Sequence, residues 1–138
     1  MASEAQEEIR AVLDQAVQAL NTGDGERLGS VLSRRPDAVH IGTDADEWWS
    51  SDDLTKAVSG AGQSETRVSL GEIGVHVLGD VAWVEGKGHF RNSSGGERPV
   101  RLTCVLVREE SRWKVAQEHA SIGVPNDQIF ATERGRER

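Results

Sequence analysis

The most informative stretch of this 138-residue sequence is Arg112-Trp113-Lys114-Val115-Ala116-Gln117-Glu118-His119-Ala120-Ser121. Its residue pattern predicts a long β-strand. Side chains alternate between the two faces of a strand, so one face should carry Trp113, Val115, Gln117, His119 and Ser121, and the other Lys114, Ala116, Glu118, Ala120 and Ile122. The first face begins apolar and ends polar, which is typical of the wall of a small-molecule pocket. We therefore expect this face to line a cavity.

Three further strands precede this one. After Thr66 the hydrophobic period changes from that of a helix to that of a strand, and strands are predicted over residues 66–78, 81–91, 98–109 and 112–122. Short connections rich in glycine and polar residues separate them, as in antiparallel hairpins. Gly71, Gly74, Gly86 and Gly88 lie inside the strands, where glycine weakens pairing unless a bulge or bend requires it. The sheet is therefore expected to be strongly curved.

Helices come before the strands. The first is predicted by apolar residues at helical spacing, namely Ile9, Val12, Leu13, Ala16, Val17 and Leu20. Asp24 can cap a short second helix, and Ser50-Ser51-Asp52-Asp53 can cap a third, from residue 52 to about 58. A short strand is expected over residues 38–42. This order indicates an α+β domain over residues 1–130, with helices on one face of the sheet and a disordered charged tail over 131–138.

The composition excludes several classes of function. The net charge is −7 and no basic stripe opposes it, so we expect no nucleic-acid partner. No apolar run approaches the roughly 20 residues that span a bilayer, and residues 1–10 carry no signal-peptide pattern, so we expect a cytoplasmic protein with no membrane partner. Cys104 is the only cysteine, which excludes an internal disulfide and is typical of a small buried thiol.

Three features occur together in this sequence. They are the helix-first order, the segment Gly42-Thr43-Asp44-Ala45-Asp46-Glu47-Trp48-Trp49, and the ending Leu102-Thr103-Cys104-Val105-Leu106-Val107 with Trp113-Lys114-Val115 and His119-Ala120-Ser121. In combination they resemble the SnoaL-like branch of the nuclear transport factor 2-like superfamily. The resemblance covers about residues 4–125. It implies a cone-shaped, cystatin-like α+β barrel, in which N-terminal helices pack on a strongly curved mixed or antiparallel sheet around a cavity. It also implies a homodimer formed through the outer sheet face, and no cofactor.

The catalytic residues of enzymes in this superfamily have no direct counterparts in this sequence. A ketosteroid isomerase uses an Asp base with a Tyr and a protonated Asp, but this sequence contains no Tyr. Cyclases resembling SnoaL use an Asp on the sheet, and no Asp lies inside the long predicted strands. Any general acid or base must therefore be another residue.

His119 is the first candidate, because a histidine on a cavity wall can move protons near neutral pH. It could instead contact a ligand without catalysis, or hold the strand to a neighbour. Glu85 is a second candidate base if its strand face points inward, and Asp44 could supply a carboxylate at the pocket mouth. Glu85 and Arg101 could instead form a cross-strand ion pair on the outer face, which is favoured over a substrate clamp at Arg101, and the carboxylate of Asp44 could instead stabilise its polar turn.

The remaining candidates would bind the ligand. They are the four tryptophans, Trp48, Trp49, Trp83 and Trp113, and three polar residues, Arg101, Gln117 and Ser121. The tryptophans could line an apolar pocket or belong to the core. The four histidines are too far apart in sequence to indicate a metal site. For a homodimer, Leu102, Cys104 and Leu106 offer an outward apolar face if Arg101 points into the cavity.

The sequence thus favours a protein that binds a small, mostly apolar organic molecule and could isomerise or cyclise it by acid–base proton transfer without a cofactor. A non-catalytic ligand-binding or oligomerisation module with the same fold is the alternative.

Overall fold

The computed structural model describes residues 2–130 and contains three α-helices, six strands and one short 3₁₀ helix within them. The helices are α1 (Glu4–Thr22), α2 (Gly25–Val31) and α3 (Ser51–Ala61). The strands are β1 (Val39–Ile41), β2 (Trp48–Trp49), β3 (Arg67–Leu78), β4 (Val81–Arg91), β5 (Glu97–Glu109) and β6 (Arg112–Ser121), and the 3₁₀ helix is Asn126–Gln128. The charged tail predicted over residues 131–138 lies outside the described residues.

Local sequence signals fix the helix ends. Ser3 and Gln6 form a reciprocal capping box at the start of α1, and Gly23 ends it in the left-handed conformation, with φ of 70°. The side chains of Asp24 and Ser50 cap α2 and α3. The three helices predicted from the sequence are therefore confirmed, although α3 runs three residues further than expected, to Ala61.

The strands form a single sheet in the order β2-β1-β6-β5-β4-β3. The four long strands are antiparallel neighbours, as predicted, and β1 joins β6 in parallel. The two-residue strand β2, which the sequence did not predict, pairs with β1. Because β2 and β3 are both edges, the sheet curls around the helices without closing. The predicted α+β fold with a curved mixed sheet is confirmed.

Two irregularities bend the sheet. In β3 the pairing with β4 shifts between Leu70 and Ile73, near one of the predicted glycine positions. In β6 the register shifts because Val105 pairs with Gln117 whereas Leu106 pairs with Val115, which leaves Ala116 without a partner on β5. This single extra residue is a β-bulge, and it interrupts the alternation of side chains along β6.

The core lies between α1, α2 and the inner face of β4, β5 and β6. Ile9, Leu13 and Ala16 of α1 pack there with Leu28 of α2. The sheet contributes Val84, Cys104, Leu106, Trp113 and Val115. Cys104 is buried, as predicted. Leu102, Cys104 and Leu106 belong to this inner layer while Arg101 is exposed, so the conditional outward placement of these three residues is wrong.

No helix among residues 2–130 has the length and apolar character needed to cross a membrane.

Candidate functional site

A cavity of about 600 Å³ lies between the helices and the curved sheet. Most of its wall is apolar: Leu13, Val17 and Leu20 come from α1, Leu54 and Val58 from α3, and Val68, Leu70, Phe90, Val100 and Leu102 from the sheet. Trp49 also lines it. A volume of this size suits a small organic molecule.

His40 and Glu118 form the polar end of this cavity. They are directly paired residues of the parallel strands β1 and β6, so their side chains leave the sheet on the same face. The His40 side chain is only 2% exposed, and its Nδ1 lies 3.2 Å from Oε1 of Glu118, whose side chain is 22% exposed. That distance suits a hydrogen bond but the direction does not, and Nδ1 remains a buried nitrogen without an aligned partner.

Ser51 fixes the other ring nitrogen of His40. The Ser51 hydroxyl donates its one proton to the backbone oxygen of Ser33 at 2.6 Å. It must therefore accept from Nε2 of His40, which lies 2.8 Å away. In a neutral His40 the proton consequently sits on Nε2, and Nδ1 carries the lone pair.

Ser33 is itself held in place. Its N–H donates to the backbone oxygen of Val115 at 2.8 Å, and its hydroxyl donates to Oε1 of Glu109 at 2.5 Å. Ser33 is fully buried. The orientation of His40 thus depends on a rigid chain of hydrogen bonds that begins on β5 and β6.

The arrangement can hold and release one proton. Each of these two atoms, Nδ1 of His40 and Oε1 of Glu118, can carry a proton or accept one, and they lie 3.2 Å apart. A proton shared in this way can be given to or taken from a molecule in the cavity, which is the property that general acid–base catalysis requires.

Cys104 lies beside this pair but does not resemble a nucleophile. It is the cross-strand partner of Glu118 on β5. Burial raises the pKa of the Cys104 thiol, and the charge of Glu118 raises it further. The sulfur therefore stays protonated and serves as a small apolar side chain.

The other polar side chains of the cavity wall are those of Asn21, Thr43, Glu47, Ser64, Thr66 and Ser69. The Asn21 side-chain amide donates a hydrogen bond to the backbone oxygen of Val68 and accepts one from its N–H, so its role is structural. Glu47 lines the cavity and accepts from the N–H of Asp44. Within residues 2–130, no Lys or Arg lines this cavity, and no group of three or more His, Cys, Asp or Glu side chains is arranged to hold a metal ion.

The residues predicted on β6 are divided by the bulge at Ala116. Trp113 and Val115 face the core, but Gln117, His119 and Ser121 pair with Val105, Thr103 and Arg101 on the outer face. Glu118 and Ala120 take the inward positions instead. The expected placement of Gln117, His119 and Ser121 in the cavity is therefore wrong, because one unpaired residue reverses every later side chain. A chemical role for His119 stays a prediction.

The candidates on β4 and β5 also lie outside. Glu85 pairs with His76 at 2.9 Å rather than with Arg101. Trp83 is 47% exposed and its ring stacks on His76 at 5.4 Å between centroids. Arg101 donates to the Ser121 hydroxyl at 3.2 Å on the same face. The suggested inward placement of Glu85, Trp83 and Arg101 is wrong, although Glu85 does follow Trp83 on one face.

The other candidates are scattered. Trp49 lines the cavity, whereas its neighbour Trp48 is 71% exposed, and a ligand-binding role for either stays a prediction. Trp113 belongs to the core, with the guanidinium carbon of Arg108 lying 4.6 Å from the ring centroid. Asp44 lies in an exposed turn, where its carboxylate accepts from the N–H of Asp46.

The pairing of His40 with Glu118 was not predicted from the sequence. The available signal was a histidine within a short predicted apolar strand and a glutamate within a long one. Neither the parallel pairing of these strands nor the bulge has a local sequence signature. The contact between His40 and Glu118 was therefore not predictable.

Comparisons with known proteins agree with this architecture. A nuclear transport factor 2-like protein of unknown function from Pseudomonas putida superposes with a TM-score of 0.77 at 19% identity, covering 93% of each chain. A provisional dehydratase of the nuclear transport factor 2-like family from Streptomyces avermitilis gives 0.73 at 20% identity, covering 86% of this chain and 96% of that one. A provisional calcium/calmodulin-dependent protein kinase II association domain from Xanthomonas campestris superposes with a TM-score of 0.73 at 21% identity, covering 91% of each chain.

These identities are low, so the three structures show a shared fold and no more. No curated protein matches the sequence. Residues 9–125, which include His40, Ser51 and Glu118, match the family model of the SnoaL-like domain. The chain therefore belongs to the SnoaL-like domain family.

Proposed function

We propose that this protein binds a small, mostly apolar organic molecule in the cavity and isomerises or cyclises it by proton transfer at Glu118. The observation that carries the proposal is the His40–Glu118 contact in the wall of a mostly apolar cavity. Glu118 is the exposed member of the pair and His40 the buried one, so a bound molecule meets the carboxylate first.

The chemistry needs no group beyond these residues. The Glu118 carboxylate takes a proton from an acidic carbon of the ligand, and the electron pair of the broken C–H bond forms a new double bond as the neighbouring double bond shifts. Glu118 then returns a proton, exchanged with solvent, to another position of the ligand. The lone pair of His40 Nδ1, 3.2 Å from Oε1, favours Glu118 once the carboxyl holds this proton, while Ser51 keeps the ring from turning. The provisional dehydratase of similar fold agrees with this proposal, because loss of water also needs a base and an acid.

Solvent deuterium incorporation tests the proposal without knowledge of the natural ligand. The probe is 2-tetralone, an apolar ketone with acidic C–H bonds, incubated with protein in D₂O and followed by mass spectrometry. Wild-type protein should accelerate exchange, and Glu118→Gln should lower the acceleration by about 100-fold or more. Glu85→Gln, a change on the exposed outer face, is the matched control and should exchange like wild type. Equal acceleration by wild type and Glu118→Gln would remove Glu118 as the base.

A second candidate function is a non-catalytic binding or oligomerisation module. The observation that favours it is the outer sheet face, where Leu78, Val81 and Trp83 are 72%, 43% and 47% exposed. The association domain of similar fold supports the same alternative. A protein that binds 2-tetralone without exchanging its protons would support this function over catalysis.

The same outer face supports a homodimer. Val105 and Val107 of β5 lie beside Trp83 and Val81 of β4 on it, so an apolar strip crosses two strands. Exposed apolar patches of this kind mark protein interfaces. Sedimentation equilibrium should give a mass of twice the 15.0 kDa of one chain for the wild type. The Trp83→Glu variant should sediment as a monomer. The cytoplasmic location expected from the sequence remains part of this proposal.

A further inference from the structure

Four exposed basic side chains form a basic cluster at one end of the outer sheet face. Lys87 of β4 lies directly opposite Arg101 of β5, and both are exposed. Arg67 of β3 lies directly opposite Arg91 of β4, with Glu97 at 3.4 Å from Arg91 offsetting one charge. Like charges directly opposite each other destabilise a sheet. Two such pairs in a chain of net charge −7 therefore indicate a surface that meets an acidic partner.

An acidic turn lies at the same end of the sheet but near its opposite edge. It comprises residues 42–47, which join β1 to β2, and it carries the exposed side chains of Asp44 and Asp46. The turn begins directly after Ile41, which pairs with His119 of β6. Arg101 of the basic cluster pairs with the residue two places after His119, so the turn and the cluster are level along the strands. The strands β6 and β5 lie between them.

A twofold axis can bring these two charged groups together. Consider two copies of the sheet packed face to face about an axis that runs along the strands over β5 and β6. The β2 edge of one copy then lies over the β3 edge of the other, and the same strand ends stay together. The acidic turn of each copy consequently meets the basic cluster of the other. An axis across the strands would instead place the basic cluster over the opposite end of the partner sheet.

From this charge pattern we infer that the outer face binds a second copy of this chain about a twofold axis along the strands, with the acidic turn of each copy on the basic cluster of the other. The inference rests on the homodimer proposed above and deepens it by naming the contacts that fix its orientation. The exposed apolar strip at Trp83 supplies contact area, whereas the charged groups select one orientation and disfavour others. Trp48, which directly follows the turn and is 71% exposed, becomes covered in this arrangement.

Complementary charge reversal tests the orientation. The acidic-turn variant carries Asp44→Asn and Asp46→Lys, and the asparagine keeps the oxygen that accepts from the N–H of residue 46. The basic-cluster variant carries Arg67→Glu and Lys87→Glu, which convert both like-charged pairs into opposite ones and should not weaken the fold. Each variant alone should dimerise about 10-fold or more weakly than wild type, because like charges then meet in its interface. An equal mixture should form heterodimers of wild-type strength, since both charged contacts are attractive, and native mass spectrometry separates the species by mass.

Glu110→Lys is the matched control. Glu110 is exposed in the turn between β5 and β6, at the other end of the sheet, so this reversal should leave dimerisation as in wild type. A loss of dimer in Glu110→Lys as large as that in the acidic-turn variant overturns the inferred orientation. Wild-type dimerisation by either double variant overturns it as well, as does a mixture of folded variants that forms no heterodimer.

A salt series on the unaltered chain decides the question even if a variant fails to fold. Raising the NaCl concentration from about 50 mM to about 500 mM should weaken the wild-type dimer by about 3-fold or more, because salt screens the charged contacts. A dimer that is unaffected or strengthened by salt overturns the inference and leaves the homodimer itself in place. A wild-type chain that sediments as a monomer at low salt overturns both, whereas the proposed proton transfer is measured separately by 2-tetralone exchange.

Discussion

Replacing Ser51 with alanine tests the hydrogen-bond chain behind His40. The change removes one oxygen that lies 2.8 Å from Nε2 of His40 and 2.6 Å from the backbone oxygen of Ser33. His40, Ser33 and Ser51 are all buried, so water cannot readily replace the lost partner. Each unpaired buried group costs about 1–3 kcal/mol, and since the two share one site we expect Ser51→Ala to lower the free energy of unfolding by about 2–4 kcal/mol.

The adjacent serine is a matched control. Ser50 is exposed and caps α3 by accepting from the N–H of Asp53, so Ser50→Ala should cost about 1 kcal/mol. Urea unfolding followed by tryptophan fluorescence measures both variants at constant m-value. Nitrogen-15 spectra of the histidine rings supply a second readout, because the Nε2–H form of His40 should no longer be favoured in Ser51→Ala. A loss of stability equal to or smaller than that of Ser50→Ala, with an unchanged His40 tautomer, would refute the reasoning.

Three further changes test neighbouring parts of the structure. Glu118→Gln should raise the free energy of unfolding by about 1 kcal/mol, because its amide can donate to the unpartnered Nδ1 of His40; a lower melting temperature would contradict this. The buried Cys104 thiol should react with a disulfide reagent at pH 8 no faster than the protein unfolds. The free energy of unfolding should also decline above the unfolded thiol pKa of about 8.5, because the unfolded chain then releases a proton that the folded chain keeps. Gly88→Ala should destabilise by about 2 kcal/mol or more in a thermal melt, because a Cβ there would collide with the backbone oxygen of Ser69; a change below about 0.5 kcal/mol would show that β3 moves aside.

The elements of the fold were predictable because each carries its own periodic pattern. Ile9, Leu13 and Ala16 recur at helical spacing on α1 and are buried in the structure. The alternation along β4 and β5 correctly grouped Trp83 with Glu85 on one face. The long strands repeat this two-residue pattern over ten or more residues, so their existence and antiparallel order followed from the sequence.

The site was less predictable because it depends on contacts between distant segments. Nothing near His40 indicates that β1 pairs in parallel with β6, 78 residues later at Glu118. Alanine at position 116 gives no sign of a bulge, whereas the glycine at position 71 does accompany one. Sequence alternation alone therefore selected His119 for the cavity where the structure places Glu118.

The unpaired Ala116 divides β6 into two segments of opposite phase, and this division has a consequence for how the protein can vary. Substitutions at Trp113 and Val115 act on the packed core, whereas substitutions at Glu118 and Ala120 act on the cavity wall. A saturation library across the strand should show strict size limits before the bulge and wider chemical tolerance after it. The bulge thus separates the positions of β6 that pack the core from the positions that line the cavity.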